Sequence, residues 1–423
     1  MKAFFIIWIP QVFSWLGSQL VQFALIWWLT QETGSATVLA ISTIMAVLPQ
    51  VLIGPFAGVL VDRWNRRLVM MVADGAIAVA TVVLGLLYHL GVIQVWHVYI
   101  VMLVRAVGGL FHWPAWSAST SLMVPEKHLA RIAGLNQTIY SVIFIISPPL
   151  GALLLGLLPM QGVLAIDVGT ALLAITPLFF IRVPQPIARV ELECAAVETS
   201  FVTSVVGDMR GGLQFILGWR GLTILLLIVM LLNLLAWPLM SLVPILITKH
   251  FGGEALELGW FQSALGIGGL LGGLLLSTWG GFKRRIVTMM AALILHGVGT
   301  TVVGLTPAAL FPMGMVAWAV VAFTGSIFNG ASLALLQAKI PPEIQARVLS
   351  LQLSAATAMA PLGLAVAGPV TDILGPQIWF LVAGIALTVG GLGGFFISPL
   401  MQIEDKSTEE VRSELSIVAG NEL

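Results

Sequence analysis

Charged side chains are scarce in this 423-residue chain, where Asp, Glu, Lys and Arg together make up 9 %. With 59 % hydrophobic residues and a mean hydropathy of +1.03, the composition excludes an ordinary water-soluble protein. The formal net charge is zero, so nothing indicates a nucleic-acid partner or an acidic one. We therefore expect a chain that is largely surrounded by lipid.

Groups that commonly carry covalent or metal chemistry are equally rare. The single cysteine, Cys194, excludes an internal disulfide and is interpreted as an inert thiol. The six histidines lie far apart, without the spacing of metal ligands. There is no G-x-x-x-x-G-K-[S/T] sequence for ATP and no cluster of acids, histidines or nucleophiles. The sequence predicts neither an enzyme nor a requirement for a metal or cofactor.

Long apolar stretches are what the chain has in quantity. A membrane-spanning helix needs roughly 20 mostly apolar residues, and a β-barrel would instead show alternating segments of about ten residues. We predict an all-α integral membrane protein with twelve transmembrane helices. They are placed at 4–30, 36–61, 68–91, 97–123, 132–157, 162–181, 221–247, 256–279, 286–306, 310–338, 346–370 and 377–400.

Basic residues are distributed unevenly in this topology. All 19 Lys and Arg residues except Arg105 and Lys249 lie on the face that holds both termini. The positive-inside rule identifies this face as cytoplasmic. We therefore predict that both termini are in the cytoplasm.

Two loops recur at nearly equal offsets along the chain. Asn65-Arg-Arg-Leu-Val-Met-Met matches Lys283-Arg-Arg-Ile-Val-Thr-Met, and Val124-Pro125 matches Ile340-Pro341. Such repeats are typical of transporters built from two halves. The sequence predicts two pseudo-symmetric six-helix halves over 1–181 and 221–400, a cytoplasmic connector with an amphipathic segment over 182–220, and a cytoplasmic tail over 401–423.

A charged turn separates the second and third apolar stretches. It reads Gly58-Val-Leu-Val-Asp62-Arg63-Trp-Asn65-Arg66-Arg67 and resembles the G-x-x-x-D-R-x-G-R-R loop of the major facilitator superfamily. Asp74-Gly75 and Asp208-Met-Arg-Gly-Gly-Leu-Gln-Phe-Ile are similar to the macrolide-efflux branch of that superfamily. The resemblance implies the major facilitator fold and a proton-driven drug:proton antiporter in the bacterial cytoplasmic membrane, exporting macrolide-like or other amphiphilic drugs.

The same turn is interpreted as a gating loop. We expect Asp62, at a helix end, to hold the cytoplasmic side closed by pairing with cationic or helix-N-terminal groups nearby. Asn65 replaces the family's glycine and is expected to supply left-handed backbone. The second half has Gly280-Gly281 in place of Asp62-Arg63, so the two loops are not equivalent.

In the resembled fold, helices 1, 4, 7 and 10 line a central cavity. Polar stripes at helical spacing on these helices provide candidates for contact with substrate, although hydrogen bonding between helices is an equal explanation for any single one. None of the four helices carries an acid, which favours large apolar or weakly polar substrates. The candidates are Gln11, Ser18, Gln22, Trp116, Asn233, Trp237 and Asn329.

Four ionisable residues within the spans are candidates for proton coupling. Arg105 resembles the family's helix-4 arginine and is predicted to be a charge gate. His112, with an unperturbed pKa of about 6.5, is a candidate proton carrier or a structural histidine. We expect Asp74 to pair structurally with the loop arginines. Asp167 is expected near the outer end of helix 6, accessible to water, as a polar helix end or a site where protons enter.

Other functions are kept open. Export of a siderophore or lipid-like anionic metabolite would let Arg105 meet an anionic group, and a channel is disfavoured by the two repeated halves. We expect a monomer surrounded by the lipid bilayer. Helix 8 contains Gly266, Gly268, Gly269, Gly272 and Gly273, whose G-x-x-x-G spacing predicts close approach to another helix.

Overall fold

A computed structural model describes residues 1–181, 183–184 and 211–405 of the protein. At 55, 58, 59, 62, 63, 130, 342, 343 and 346 it describes the backbone alone. Most of the predicted connector, including Cys194 and Asp208, and the tail beyond 405 lie outside the described residues. All regular elements in the described part are helical.

Twelve helices in that part are long and apolar enough to cross a membrane, which confirms the predicted fold class. They are α1 (Lys2–Thr33), α2 (Ala36–Arg63), α3 (Arg66–His89), α4 (Val95–Met123), α5 (Glu126–Leu157), α6 (Met160–Phe180), α7 (Arg220–Ile245), α8 (Ala255–Trp279), α9 (Arg285–Leu305), α10 (Phe311–Lys339), α11 (Pro342–Leu374) and α12 (Pro376–Phe396). A π-helical turn, Leu246–Phe251, prolongs α7, and a short α13 (Ser398–Met401) follows α12.

Two helices begin a full turn or more before their apolar residues suggest. The predicted fifth span starts at 132, whereas α5 starts at Glu126, directly after Pro125. The predicted eleventh span starts at 346, whereas α11 starts at Pro342. Proline is favoured at the start of a helix because its φ angle is already helical and its missing N–H is not needed there. Each helix therefore has a polar first turn that a hydropathy argument does not detect.

The turn between α2 and α3 differs from expectation. Asn65 has φ −67° and ψ 106°, so the predicted left-handed backbone at this residue is wrong. Its side-chain oxygen instead accepts hydrogen bonds from the backbone N–H groups of Arg67 (3.1 Å) and Leu68 (3.4 Å). Asparagine is among the best residues for capping a helix N-terminus in this way. Left-handed backbone occurs in the second loop, at Gly280 and Gly281 (φ 74° and 84°).

The internal repeat is visible in equivalent contacts. Arg66, the first residue of α3, donates from Nη1 to the carbonyl of Ala118 on α4 (3.3 Å). Arg285, the first residue of α9, donates from Nη1 to the carbonyl of Ala334 on α10 (2.7 Å). The sequence match aligns Arg66 with Arg284. The equivalent contacts instead pair Arg66 with Arg285, which is one residue further along the chain. Each arginine ties the start of one helix to its neighbour.

The chain forms two compact units. The first comprises α1–α6 with Pro238–Gly266 and Leu364–Pro376. In it, α1 packs against α5 and α6, while α2 and α3 pack against α4. The second includes 211–237, Ile267–Gly363 and 377–405, where α9 packs against α10. Helices α7, α8 and α11 therefore contribute residues to both units.

Candidate functional site

A cavity of about 630 Å³ lies within the first unit. Its volume is in the range of sites for drug-sized ligands, roughly 300–1,000 Å³. Helices α1 to α5 contribute the side chains that surround it. The polar and aromatic ones are Trp8, Gln11, Ser14, Trp15, Ser18, Gln19, Gln22, Asp74, Arg105, His112, Trp113, Trp116, Asn136 and Tyr140.

The predicted cavity residues fall into two groups. Gln11, Ser18, Gln22 and Trp116 line this cavity together. The other three lie in the second unit and are absent from the lining formed by the described residues. They are Asn233, whose amide donates to the Val229 carbonyl of its own helix (2.8 Å), Asn329, which does the same to Gly325 (3.0 Å), and Trp237.

Asp74 of α3 is the acid on the described part of the cavity lining. Its Oδ1 lies 3.4 Å from Nε2 of His112, and its Oδ2 accepts a 3.1 Å hydrogen bond from the amide of Gln11. The expected structural pairing of Asp74 with the loop arginines is therefore wrong. The inference of a cavity without an acid considered four helices only, whereas α3 also reaches the lining. An acid and a histidine in contact can exchange a proton.

A buried ion pair joins Arg105 to Asp167. Nη1 of Arg105 lies 2.7 Å from Oδ2 of Asp167, and Nη2 donates to the carbonyl of Ser18 (2.8 Å). The hydroxyls of Ser18 and Thr81 each donate to the Asp167 carboxylate at 3.1 Å. Residues from α1, α3, α4 and α6 thus meet at one carboxylate. Burying a charge is costly unless it is paired and hydrogen-bonded, and this cluster meets both conditions.

The expected water access of Asp167 is wrong. The residue lies seven positions into α6, yet it is 1 % exposed because α1, α3 and α4 close around it. Arg105 is correspondingly engaged by fixed partners, although part of it still faces the cavity. This arrangement suits a fixed tie between helices better than a group that changes partner.

Aromatic rings that sequence reasoning missed form another wall. The rings of Trp15 and Tyr140 are 4.8 Å apart at 41°, and Trp15 lies 6.2 Å from Trp113. Trp8 donates from its indole N–H to Asn136 of α5 (2.7 Å). The signal was present on α1, where Trp8 and Trp15 extend the Gln11 stripe at helical spacing. Broad aromatic faces suit the apolar body of a ligand.

Part of the predicted gating loop can be placed. For Gly58, Asp62 and Arg63 the structure describes the backbone alone, so the proposed Asp62 contact is not placed. Arg66 is buried against α4, as described above. Arg67 donates from Nη2 to the carbonyl of Phe179, near the end of α6 (2.8 Å).

At the other end of α2, its first residues are held by a carboxylate from α11. Asp372 accepts hydrogen bonds from the backbone N–H of Ala36 (2.7 Å), the N–H of Thr37 (2.9 Å) and the hydroxyl of Ser35 (2.9 Å). A helix N-terminus has unsatisfied N–H groups and a partial positive charge, so a carboxylate is well suited to it. One turn earlier, a Cβ at Gly368 would lie 2.9 Å from the Cα of Thr37. The two helices are therefore in close contact.

Replacing Asp372 with Ala should loosen this contact. Loss of a cap and its charge costs about 1–2 kcal/mol. This corresponds to a roughly 5- to 30-fold increase in the population of molecules in which the start of α2 has separated from α11. A cysteine at Ala40, which is 2 % exposed beside Gly368, reports the opening in a Cys194→Ser background. We expect faster labelling by a membrane-impermeant thiol reagent. Glu32→Gln, at an exposed acid of α1, is the control, and equal labelling of both variants would refute the cap's role.

Comparison with known proteins agrees with this architecture. A family model described as transmembrane secretion effector matches residues 1–417. The chain is 34 % identical over 381 residues to macrolide efflux protein A of Streptococcus pyogenes, covering 90 % of the chain and 92 % of that protein. It is 28 % identical over 401 residues to the multidrug efflux pump Tap of Mycolicibacterium fortuitum, covering 92 % and 94 %.

Solved structures share the fold at low identity. A POT family transporter in complex with a thioalcohol-conjugated peptide superposes with a TM-score of 0.68 at 14 % identity, covering 95 % of this chain and 96 % of that one. The nucleoside transporter NupG superposes with a TM-score of 0.67 at 14 % identity, covering 96 % and 100 %. These likenesses show that the chain has the same fold as the two solved proteins.

Proposed function

Because this chain belongs to the transmembrane secretion effector family of the major facilitator superfamily, we propose that it exports macrolide-like or other amphiphilic drugs. It is a transporter and not an enzyme. Export would proceed by alternating access in the bacterial cytoplasmic membrane, with both termini in the cytoplasm as the basic loops indicate. The names of the two efflux relatives support this class of substrate.

The observation that carries the proposal is the cavity in the first unit. Its volume of about 630 Å³ fits a drug-sized molecule. The rings of Trp15, Trp113 and Tyr140 present apolar faces to the cavity. The side-chain amides of Gln11 and Gln22 provide hydrogen-bonding groups on the same lining. A lining of this mixed kind accepts amphiphiles of varied shape because few of its contacts depend on one exact geometry.

We further propose that a proton gradient drives export. His112 and Asp74 support this step, because they are in contact and also face the cavity. Arg105 and Asp167 are assigned a different role. Their ion pair keeps four helices together, and its charges are already matched within the protein.

The same ion pair bears on the alternative function. Export of a siderophore or lipid-like anion would require Arg105 to attract the anionic group. With Asp167 at 2.7 Å, the guanidinium charge is neutralised by a fixed partner. The cavity therefore favours cationic or neutral amphiphiles over anions.

Transport of a fluorescent drug panel tests the proposal. The purified protein is reconstituted in proteoliposomes, and uptake of cationic, neutral and anionic amphiphiles is followed with and without an imposed pH gradient. We expect gradient-dependent movement of at least one cationic or neutral compound and none of the anions. Protein-free liposomes and a protonophore are the controls. If the gradient moves no compound in the panel, proton-driven drug export is wrong.

A further inference from the structure

The ionisable groups around the cavity are few and unevenly paired. Those on its described lining are Asp74 from α3, Arg105 and His112 from α4, and Tyr140 from α5, whereas α1 and α2 contribute none. Arg105 is matched by Asp167, which lies behind the lining. Asp74 therefore provides the negative charge that faces the cavity without a permanent counter-ion.

The side chains around Asp74 leave one of its two carboxylate oxygens, Oδ1, available to a cation. On one side, the amide of Gln11 occupies Oδ2 at 3.1 Å but brings no charge. On the other, Nε2 of His112 is 3.4 Å from Oδ1 and makes no hydrogen bond with any described residue. His112 can neutralise the carboxylate only when its ring is protonated. A neutral His112 leaves a carboxylate that is 7 % exposed and borders an aromatic cavity.

We propose that Asp74 is one counter-ion shared in turn by protonated His112 and by an ammonium group of the substrate. The substrate class is then an amphiphilic monocation, with its charge at Asp74 and its apolar body against the aromatic wall. This inference rests on the proposed function and deepens it. It replaces the expectation of large apolar or weakly polar substrates, which followed from the absence of an acid on the four cavity helices considered from the sequence.

The exchange balances in protons and charge. When the substrate's ammonium reaches Oδ1, the imidazolium of His112 loses its Nε2 proton to water on the side of loading. When the substrate leaves on the other side, a proton from that side returns to Nε2. The cavity carries the same net charge in both states. Export of one monocation is therefore exchanged for one proton, and the cycle moves no net charge across the membrane.

Aromatic rings complete the recognition of a cation. Rings within about 6 Å of a positive group attract it through their electron-rich faces, and this contribution grows in sites that exclude water. Trp8 and Trp116 line the cavity together with Asp74. A neutral analogue of the same shape would gain the apolar contacts but would leave His112 protonated.

Two probes that differ only in charge test the inference. One is a dansyl fluorophore with a quaternary ammonium tail, and the other has the same tail ending in a neutral amide. Calorimetry of the purified full chain, in two buffers of different protonation enthalpy, measures protons released on binding. At a pH where His112 is protonated in the free protein, we expect about one proton released per quaternary probe bound and none with the amide probe. Equal release with both probes would overturn the inference.

Variants assign the proton to a residue. His112→Gln should still bind the quaternary probe but release no proton, and Asp74→Asn should weaken its binding roughly tenfold or more while sparing the amide probe. Asp405→Asn, an exposed acid outside the cavity, is the matched control. Thermal unfolding of each variant confirms a folded protein. Proton release that persists in His112→Gln would contradict the assignment.

Transport separates this inference from the function on which it rests. In proteoliposomes, a pH gradient should drive the quaternary probe, and clamping the membrane potential with potassium and valinomycin should not change the rate. If a potential alone drives the probe, the exchange is not charge-balanced and the inference fails. If neither probe moves, the proposed export fails, while the calorimetric result still decides whether Asp74 and His112 exchange a cation for a proton.

Discussion

Replacing Asp167 with Asn is expected to abolish transport and to lower the thermal stability of the purified protein substantially. The substitution leaves Arg105 charged beside a neutral amide at a site where Asp167 is 1 % exposed. Removing one partner of a buried ion pair costs about 3–5 kcal/mol, because the remaining charge is no longer compensated. The hydroxyls of Ser18 and Thr81 also lose their carboxylate acceptor. Unfolding temperature in detergent and drug export in cells are the measurements.

A second ion pair in the chain provides the matched control. Arg284 and Asp405 lie 2.9 Å apart, but their side chains are 50 % and 49 % exposed. Exposed pairs contribute about 0–1 kcal/mol, so Asp405→Asn should have little effect on stability. Similar losses of thermal stability in Asp167→Asn and Asp405→Asn would show that burial does not determine how much the Arg105 pair contributes to stability.

A double substitution distinguishes a tie between helices from a group that carries protons. Replacing both partners of a buried pair with apolar residues of similar size is often neutral for stability. Arg105→Met combined with Asp167→Leu should therefore recover much of the lost stability. Recovery of pH-driven export along with stability would support a fixed tie. Restored stability without export would instead assign the pair a direct part in coupling.

Adding a single methyl group to Gly272 is expected to disturb the contact between α8 and α10. A Cβ at Gly272 would lie 2.9 Å from the Cα of Phe323 and would contact its carbonyl oxygen, and Gly268 meets Ala319 in the same way. The obstacle is helix backbone, so no side chain can rotate away and the helices must separate. Overpacking of this kind costs about 1–3 kcal/mol. We expect Gly272→Ala to lower the unfolding temperature and the amount of protein in the membrane.

Gly273, next to Gly272 in the sequence, provides a matched control for this substitution. A Cβ at Gly273 would meet nothing within 4 Å, so Gly273→Ala places the same methyl group in open space. It should be neutral or slightly stabilising, because alanine is the better helix former. If the two variants behave alike, the G-x-x-x-G spacing reflects helix propensity and not close packing.

The sequence predicts some features of this molecule better than others for physical reasons. The spans follow from the thickness of a bilayer, and the Gln11 stripe follows from helical periodicity, so both depend on local spacing alone. The partners of Asp74 and the burial of Asp167 depend on which helices pack together, and no local pattern specifies that. No sequence pattern indicates the role of Asp372, because its partners are backbone N–H groups of a distant helix.

The carboxylate that holds the start of α2 also concerns how the protein is made. Ala36 and Asp372 are 336 positions apart, so α2 is synthesised long before the residue that completes its N-terminus. Ser35 caps the N–H of Val38, so until α11 is inserted the N–H groups of Ala36 and Thr37 depend on water. The first helical hairpin is therefore among the earliest parts to enter the membrane and among the last to be finished. Quality-control factors that act during biogenesis would therefore encounter α2 before Asp372 caps its N-terminus.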